Sequence, residues 1–431
     1  MILRLSTAAE RAALIFVAFS LALFLAYFSI RNARAVYSVD LQTLQGLDRA
    51  THLEPGNAYN WYLLGRFWQY NLEDSDNRKA IAAYRTALSL DPHSAETWLD
   101  LGAALEAEGD LPAARDAFVR AKADYPLSAD VSWRYGNFLL RRQEVDSAFA
   151  EIRRSVQADP RRGGEAFSRC FRILPDVHQI LDRVLPPSPN IYLDVLLNLA
   201  RDGEIGSALK VWDRLIALHP QMPLSQTSPF IDVLRQGGQI AEARRAWDQA
   251  ATFAGLSALP GPADSVLWDG SFESGVTHGG YAWTFPENSH SVDIRIDPQE
   301  HHSGNNALRL TFDGKSNLAF MDVCHLVPVH PSTSYRFSAW ILARGLTTDQ
   351  GVRFQLHSLG ISDSSVVVTS EVHGTTPWTS VDLPWISGPD VQEMQVCVAR
   401  NLSDQADNKI QGVAWIDDVA LIPVPQGNSR P

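Results

Sequence analysis

The sequence predicts a multidomain α + β protein in which an N-terminal transmembrane helix leads into an α-solenoid, followed by an antiparallel β-sandwich of the jelly-roll kind. Three observations predict this order. An uncharged apolar run stands near the N-terminus, a set of small and bulky residues then recurs every 34 residues, and the apolar period changes from 3.6 to 2 after residue 263. A chain of 431 residues has room for two or more domains, since typical domains have roughly 100 to 200 residues.

Composition places the chain among globular proteins. Hydrophobic residues make up 45% and charged residues 20% of the sequence. The formal net charge is -12, and residues 264–431 hold 19 acidic against 9 basic residues. Binding of nucleic acid needs a basic surface, so we expect no nucleic acid partner. An acidic surface also suits metal cations, although a solvated acidic face is the more common explanation.

Residues 12–30 carry no charge and lie between Arg11 and Arg31. As a helix they would cover about 28 Å, close to the hydrocarbon thickness of a bilayer. We interpret residues 1–35 as a transmembrane anchor. A cleaved signal peptide is the alternative, because the sequence ARA at 33–35 resembles a cleavage site, but the apolar run exceeds the usual length of about 7 to 15 residues. Arginines flank both ends equally, so charge leaves the orientation open.

A repeated unit is the strongest pattern in the chain. The segments WYLLG, WLDLG and SWRYG at 61–65, 98–102 and 132–136 align, and a proline follows each of them at 92, 126 and 160. Small residues let two antiparallel helices approach closely, bulky residues fill the gaps between successive pairs, and proline stops the second helix. Trp61 and Trp98 are therefore expected to be packing residues.

This pattern resembles the tetratricopeptide repeat (TPR) family, whose repeat is a helix pair of about 34 residues. We expect a TPR-like array of five to six pairs over 36–256, with the best repeats at 57–160 and degenerate ones at 161–256. Residues 47–55 look like a lone second helix. The resemblance implies a concave face, built mainly from first helices, that binds a protein partner. Exposed candidates for that face are Asn60, Arg66, Tyr70 and Arg134.

Behind a linker at 257–263, short segments with period-2 alternation predict a β-sandwich over 265–424 and a tail at 425–431. The segments are separated by Gly, Pro, Asn and Asp, which favour turns. The predicted strands are 291–296, 307–312, 319–329, 335–343, 352–357, 365–372, 378–385, 394–400 and 413–422.

Four motifs in this half are LWDGSFESG at 267–275, HSGNNAL at 302–308, YRFSAW at 335–340 and WIDDVAL at 415–421. In this order they resemble the calcium-binding carbohydrate-binding modules of the galactose-binding-like jelly-roll group. The resemblance implies a structural calcium ion held by the side chains of Glu273 and Asp417 and by backbone oxygens around Ser303 and Gly304.

Strand parity gives an independent argument for a cation. Asp417 shares the parity of Val419 and Leu421 and is therefore expected to point inward with them. A buried carboxylate needs a cation or several hydrogen-bond donors. The alternative to calcium is a carboxylate capped by backbone N–H groups or by an arginine.

Carbohydrate binding would use aromatic faces and a few polar groups. Arg336 and Trp340 share the strand face opposite Phe337, so they form a candidate platform. Trp283 and Trp378 are expected at loop tips. Burial in the core is the alternative for each tryptophan, and many domains of this fold bind no sugar.

Cys324 and Cys397 lie in predicted strands and would form a disulfide if the domain were outside the cytoplasm; two separate buried thiols are the alternative. No catalytic motif occurs, so we expect no enzyme. The leading hypothesis is a binding protein of a bacterial inner membrane with its soluble part in the periplasm, docking a protein partner and a glycan in polysaccharide assembly or export. The alternative is a pure protein–protein interaction scaffold whose sandwich binds no sugar.

Overall fold

The computed structural model describes residues 7–256, 264–274, 279–286, 291–360 and 364–425. The chain divides into two compact units, Met1–Pro187 and Ser188–Pro431. The second unit therefore contains the last helices of the array as well as the sandwich. The predicted linker at 257–263 and most of the predicted tail lie outside the described residues.

Fourteen α-helices occur in the described part of the chain, and a 3-10 helix follows the eighth. The first unit contains α1 Ala8–Asp40, α2 Leu44–Leu53, α3 Ala58–Tyr70, α4 Asn77–Leu90, α5 Ala95–Glu108, α6 Leu111–Asp124, α7 Ala129–Arg141, α8 Val145–Ala158, α9 Gly163–Ile173 and α10 Val177–Arg183. The second unit begins with α11 Pro189–Arg201, α12 Ile205–Ile216, α13 Leu224–Gln236 and α14 Ile240–Phe253.

The apolar run is part of one continuous helix, α1, that is 33 residues long. Thr7 and Glu10 form a capping box at its start, each side chain accepting a hydrogen bond from the other residue's backbone N–H group. The helix is long and apolar enough to cross a membrane, although a signal sequence at this position would meet the same criteria.

The C-terminal end of α1 packs on α2. Ala35 and Ser38 are buried there, and a Cβ atom at Gly46 of α2 would lie 2.3 Å from the carbonyl oxygen of Ser38. Residues 47–55 are thus not a lone second helix, because α1 supplies the partner. Together with the pair formed by α9 and α10 in the irregular region, this gives seven pairs among the described helices rather than five to six.

Within the regular pairs, the repeated glycine faces the repeated bulky residue. A Cβ atom at Gly65 on α3 would lie 2.6 Å from the ring of Tyr84 on α4, and one at Gly136 on α7 would lie 2.7 Å from Cγ1 of Ile152 on α8. Tyr84 and Ile152 are fully buried. The glycines therefore set the distance between the two helices of a pair.

We expect Gly65→Leu to destabilise the first unit by about 1–3 kcal/mol, because overpacking forces helices apart, even though leucine has the better helix propensity. Gly206 on α12 is the matched control, since a Cβ atom there meets nothing within 4 Å. Gly206→Ala should instead be neutral or stabilising by up to about 1 kcal/mol. Urea unfolding followed by circular dichroism at 222 nm compares the variants. Equal stabilities for Gly65→Leu and the unmodified chain would contradict this packing.

Trp61 and Trp98 close the turns between pairs, and Trp61 also packs against the buried cluster of Leu47, Leu64 and Ala83. The indole N–H of Trp61 donates to the carbonyl oxygen of Pro55 at 3.0 Å, and that of Trp98 donates to Pro92 at 2.9 Å. Both rings are half-buried, whereas Trp133 is buried. Each tryptophan thus links a first helix to the proline that ended the preceding helix.

Two five-stranded antiparallel sheets form the β-sandwich, with strand orders β1-β4-β9-β6-β7 and β2-β3-β10-β5-β8. All nine predicted strands are present within a few residues, and β1 is an additional two-residue strand. The strands are β1 Trp283–Thr284, β2 Val292–Asp297, β3 Ala307–Asp313, β4 Phe320–Pro328, β5 Ser334–Leu346, β6 Arg353–Ser358, β7 Val366–Val368, β8 Gly374–Ile386, β9 Glu393–Arg400 and β10 Gln411–Pro423.

Alternate residues of both sheets meet in one hydrophobic core, as the period of two requires. Phe337 on β5, Phe354 on β6 and Val398 on β9 are fully buried in it. Cys324 and Cys397 face each other in the register of β4 and β9 and form a disulfide. The structure therefore selects the paired alternative for these two cysteines.

The last two helices pack directly on the sandwich. Trp247 on α14 meets the edge of Trp268 at 5.1 Å and of Tyr281 at 6.1 Å between ring centroids. Arg235 on α13 binds both carboxylate oxygens of Glu393 on β9, at 2.7 and 3.2 Å. These contacts explain why α13 and α14 belong to the same compact unit as the strands.

Candidate functional site

In the first unit, Asp100 on α5 is a buried carboxylate that binds residues of two other first helices, α3 and α7. One of its oxygens lies 2.6 Å from Arg134 Nη2 on α7, and the other lies 3.9 Å from Arg66 Nε on α3. The hydroxyl of Tyr70 on α3 donates to it at 3.4 Å. Three of the sequence-predicted candidates therefore lie on the face that the first helices form.

The four candidates differ in whether their side chains are exposed enough to contact a partner. Asn60 is buried, and its amide donates to the carbonyl oxygen of Ala50 at 3.3 Å, so its role is structural. Arg134 is engaged by Asp100. Arg66 and Tyr70 remain exposed, and the guanidinium of Arg66 lies 5.7 Å from the Tyr70 ring centroid. Arg66 and Tyr70 are thus the two that a partner could contact.

In the sandwich, the turn at 302–306 is held by two carboxylates from distant segments. Glu273 accepts hydrogen bonds from the backbone N–H groups of Asn305 and Asn306 at 2.5 and 3.0 Å. Asp417 accepts from those of His302 and Ser303 at 2.7 and 3.0 Å. All the residues of the predicted calcium site therefore meet at this turn.

The parity argument for Asp417 is wrong because β10 contains a bulge. Ile416 pairs with Ile341 in the core, Asp417 pairs with Trp340, and the register then shifts before Ala420. Asp418 has a φ of 49°, a left-handed conformation that non-glycine residues seldom adopt. Asp417 consequently belongs to the same sheet face as Trp340, and it is buried because the turn at 302–306 covers it.

In this structure the oxygens of Glu273 and Asp417 accept hydrogen bonds from backbone N–H groups, and Asp417 Oδ1 also accepts the N–H of Asp418 at 2.7 Å. No group of three or more His, Cys, Asp or Glu side chains that could hold a metal ion occurs among the described residues.

The pKa values of the adjacent carboxylates Asp417 and Asp418 are shifted in opposite directions at this turn. Burial raises the pKa of Asp417 to about 6, because the hydrogen bonds from Ser303 and His302 only partly offset the loss of solvation. Burial also raises the pKa of Asp418, but hydrogen bonds from Ser303, His302 and Ser271 outweigh it and hold this pKa below its usual value. Asp418 therefore stays ionised to a lower pH than Asp417 does.

The raised pKa predicts how the stability of the sandwich depends on pH. Between pH 4 and pH 6 the folded chain holds a proton on Asp417 that the unfolded chain, with a pKa near 3.8, releases. The contribution of Asp417 to stability is therefore fully present below pH 4 and is lost as the pH rises through 6. Between pH 4 and pH 6, the free energy of unfolding of the unmodified chain should fall relative to that of Asp417→Asn. Urea unfolding in EDTA measures both values. A difference in the free energy of unfolding between the two proteins that stays constant from pH 4 to 7 would contradict this prediction.

An aromatic cluster lies beside the same turn. The imidazole of His302 stacks on Trp340 at 4.1 Å between centroids and 16° between planes, and Trp378 meets it edge-on at 5.5 Å. His302 Nδ1 lies 2.7 Å from Asp418 Oδ2, which fixes the ring. Trp340 and Trp378 are half-buried. We call His302, Trp340 and Trp378 the aromatic cluster.

The predicted platform and loop-tip residues change in three respects. Trp378 lies within β8, not at a loop tip. Arg336 is exposed but stands four strand residues from Trp340, about 13 Å along β5, so the two do not form one surface. Trp283 is not at a loop tip: it lies in β1, is only 4% exposed and donates its indole N–H to the carbonyl oxygen of Asp269. Trp283 is therefore a core residue.

Sequence reasoning missed His302 and Asp418 as members of the site. Both residues lie in the quoted motifs, His302 in HSGNNAL and Asp418 in WIDDVAL, but only Ser303, Gly304 and Asp417 of these motifs were assigned a role. The available signal was the pair of adjacent aspartates in WIDDVAL, because two neighbouring strand residues both carrying a carboxylate suggest a bulge with both side chains engaged.

Comparison with known families agrees with the helical repeats. Tetratricopeptide repeat models match residues 71–132 and 114–162. Residues 71–162 are tetratricopeptide repeats. The TPR segment thus contains α4 to α8, the most regular pairs of the array. No curated protein sequence matches the chain.

Several solved structures are similar to parts of the chain. MamA is 20% identical over 40% of this chain and 85% of its own, with a TM-score of 0.26. YrrB, a TPR protein with an unusual peptide-binding site, is 14% identical over 49% and 94%, with a TM-score of 0.26. The CBM22-1 xylan-binding domain of Xyn10C from Paenibacillus barcinonensis is 15% identical over 39% and 97%, with a TM-score of 0.26. Similarities at this level identify no ligand for this chain.

Proposed function

We propose that this chain is a non-catalytic, membrane-anchored scaffold of the bacterial cell envelope, serving polysaccharide assembly or export. Its TPR array docks a protein partner, and its β-sandwich binds a glycan. The observation that carries the glycan part is the aromatic cluster, in which two half-exposed tryptophans border a histidine, a serine and an ionised aspartate. Aromatic faces stack on the C–H surfaces of sugars, and the polar groups can bind hydroxyls.

The cluster is preorganised, which favours a binding role. His302 is fixed by Asp418, and Asp418 is in turn fixed by hydroxyl donors from Ser303 and Ser271 at 2.6 and 2.9 Å. Because these groups are ordered before a ligand arrives, binding would cost little conformational entropy. His302 covers one face of Trp340, so a sugar would contact Trp378 and the edge of His302 first.

The disulfide of the sandwich favours a location in an oxidising compartment. The disulfide between Cys324 and Cys397 joins two neighbouring strands, and disulfides persist mainly outside the cytoplasm. With α1 spanning the inner membrane, the sandwich would then lie in the periplasm. A C-terminal reporter that is active only in the periplasm, compared with one active only in the cytoplasm, tests this orientation directly.

The glycan part is tested on an array of bacterial envelope polysaccharides, using the full chain in detergent. We expect binding to at least one glycan, and a loss of roughly tenfold in affinity for Trp378→Ala, equivalent to about 1.4 kcal/mol. Ile386→Ala is the matched control, since Ile386 lies on the same strand, is exposed and stands outside the aromatic cluster. Binding that Trp378→Ala leaves unchanged would remove the cluster from the site.

The alternative function is a pure protein–protein interaction scaffold whose sandwich binds no sugar. The packing of Trp247 and Arg235 on the sandwich favours it, because a β-domain fused to the last helices can serve as a structural end to the array. A chain that binds no glycan on the array, yet retains a partner in pull-downs, would support this alternative.

Calcium at Glu273, Asp417, Ser303 and Gly304 stays a prediction. Calcium binding would require the turn to present carbonyl oxygens where it presents N–H groups. The test is the melting temperature of the full chain at pH 7 with calcium or with magnesium. A rise with calcium alone, abolished by Glu273→Gln, would establish the site; no rise would leave the capped carboxylates.

A further inference from the structure

A groove of about 720 Å³ opens where the C-terminal end of α1 meets α3. About half of its lining residues are apolar or aromatic. Its exposed rim includes Tyr59 and Tyr70, with relative exposures of 60% and 53%. Two acidic residues, Asp40 and Glu54, and one basic residue, Arg66, also line it, and Arg66 Nε lies 3.9 Å from a carboxylate oxygen of Asp100. The apolar and aromatic lining residues on which the inference depends are Val36, Val39, Tyr59, Leu63, Phe67 and Tyr70.

The wall formed by α1 is rigidly joined to the apolar run. The helix continues without a break from Ala8 to Asp40, so Val36 and Val39 belong to the same rod as residues 12–30. Ala35 and Ser38 are buried on this rod, and Gly46 of α2 fits against the carbonyl oxygen of Ser38. The groove therefore cannot move away from the apolar run as it could on a flexible linker.

The helix rise sets the distance between groove and bilayer. From Ile30, the last residue of the apolar run, to Val36 and Val39 is about 9 to 14 Å at 1.5 Å per residue. The headgroup layer takes up about 5 to 8 Å of this distance. The near end of the groove thus lies within about 10 Å of the membrane surface, which is the width of one helix and far less than that of a folded domain.

We propose that this groove binds the juxtamembrane segment of a second membrane protein, an inference that rests on the proposed membrane anchorage. A segment that leaves the bilayer beside α1 meets apolar Val36 and Val39 first. It then meets the carboxylate of Asp40, one helix position further from the membrane. The matching segment is apolar and aromatic next to its transmembrane helix and carries a lysine or arginine a few residues later.

Site-specific photo-crosslinking in native membranes tests the inference with the full chain. A benzophenone amino acid replaces Tyr59 in the groove or, as the control, Leu90, which is 42% exposed at the end of the second helix α4. We expect an adduct only from position 59, and its partner peptide should lie within about 20 residues of an apolar run long enough to span a bilayer. An adduct with a soluble protein, with lipid or with a second copy of the chain, or no adduct at all, would overturn it.

Two further variants sharpen the test. Ten Gly and Ser residues inserted between Ile30 and Arg31 keep the anchor and the pairing of α1 with α2 but release the groove from the membrane surface, so the adduct should fall at least tenfold. Asp40→Lys should lower the adduct yield several-fold, whereas Asp48→Lys, on an exposed part of α2 outside the groove lining, should not. Equal yields for the inserted and unmodified chains would contradict the membrane-proximal position.

Alkaline carbonate extraction separates this inference from the proposed anchorage. A chain that leaves the membrane in carbonate would overturn both. A chain that stays in the membrane but gives no adduct from position 59 would overturn the groove inference alone.

Discussion

Replacing both Cys324 and Cys397 with alanine is expected to lower the free energy of unfolding of the second unit by about 4 kcal/mol. The two residues are 73 positions apart, so the disulfide restricts a long segment of the unfolded chain. Urea unfolding of the full chain, followed by tryptophan fluorescence, measures the change. A reducing agent should have the same effect on the unmodified chain and none on the double variant.

The matched control is Cys170→Ala, which removes the remaining cysteine. Cys170 is a buried free thiol on α9, and burial raises its pKa to about 12, so it stays neutral and unreactive. This variant should leave the unfolding of the second unit unchanged. Titration of thiols in the urea-denatured chain without reductant should count one thiol. A count of three in protein exported to an oxidising compartment would show that the strands carry free cysteines.

Arg235→Ala is expected to destabilise the second unit by about 3–5 kcal/mol. The side chains of Arg235 and Glu393 are 11% and 9% exposed, so the substitution leaves a buried carboxylate without its cation. The guanidinium also lies 5.5 Å from the centroid of Tyr281 and 3.2 Å from Asp232, which also accepts the N–H of Gly280 at 3.0 Å. Removing it therefore weakens the whole junction between α13 and the sandwich.

Arg245→Ala on the neighbouring helix α14 is the control for a solvent-exposed pair. Arg245 is 43% exposed and binds Asp213 and Glu242, so its loss should cost at most about 1 kcal/mol. Adding Glu393→Gln to Arg235→Ala should restore part of the stability, because it removes the uncompensated charge. If Arg235→Ala and Arg245→Ala destabilised the chain equally, the junction would be no more than a surface contact.

The regular helix pairs and the strands could be predicted because their sequence patterns repeat among residues that are close together in the chain. In the TPR segment, glycine, bulky residue and proline recur within 34 positions, and each is needed for a contact inside one helix pair, such as that of Gly65 with Tyr84. In the sandwich, alternation along each strand marks the residues that face the core. Neither pattern requires knowledge of distant residues.

Three errors arise where a local pattern is absent, short or interrupted. The partner of α2 was missed because the end of α1, residues 31–40, carries none of the recurring residues of the helix-pair pattern. The parity of Asp417 was misjudged because a bulge follows it, stabilised by the turn at 302–306. Trp283 was placed at a loop tip because a strand of two residues shows no alternation.

By itself, the sequence determined a long apolar N-terminal helix, a series of helix pairs and nine strands of a sandwich, since each follows from spacing within a few dozen residues. Only the tertiary structure decided that His302 covers Trp340, that Arg235 neutralises Glu393 across 158 positions, and that α1 forms one wall of a groove. The physical reason is that burial and charge pairing depend on which distant side chains the fold brings together, and periodicity carries no information about those partners.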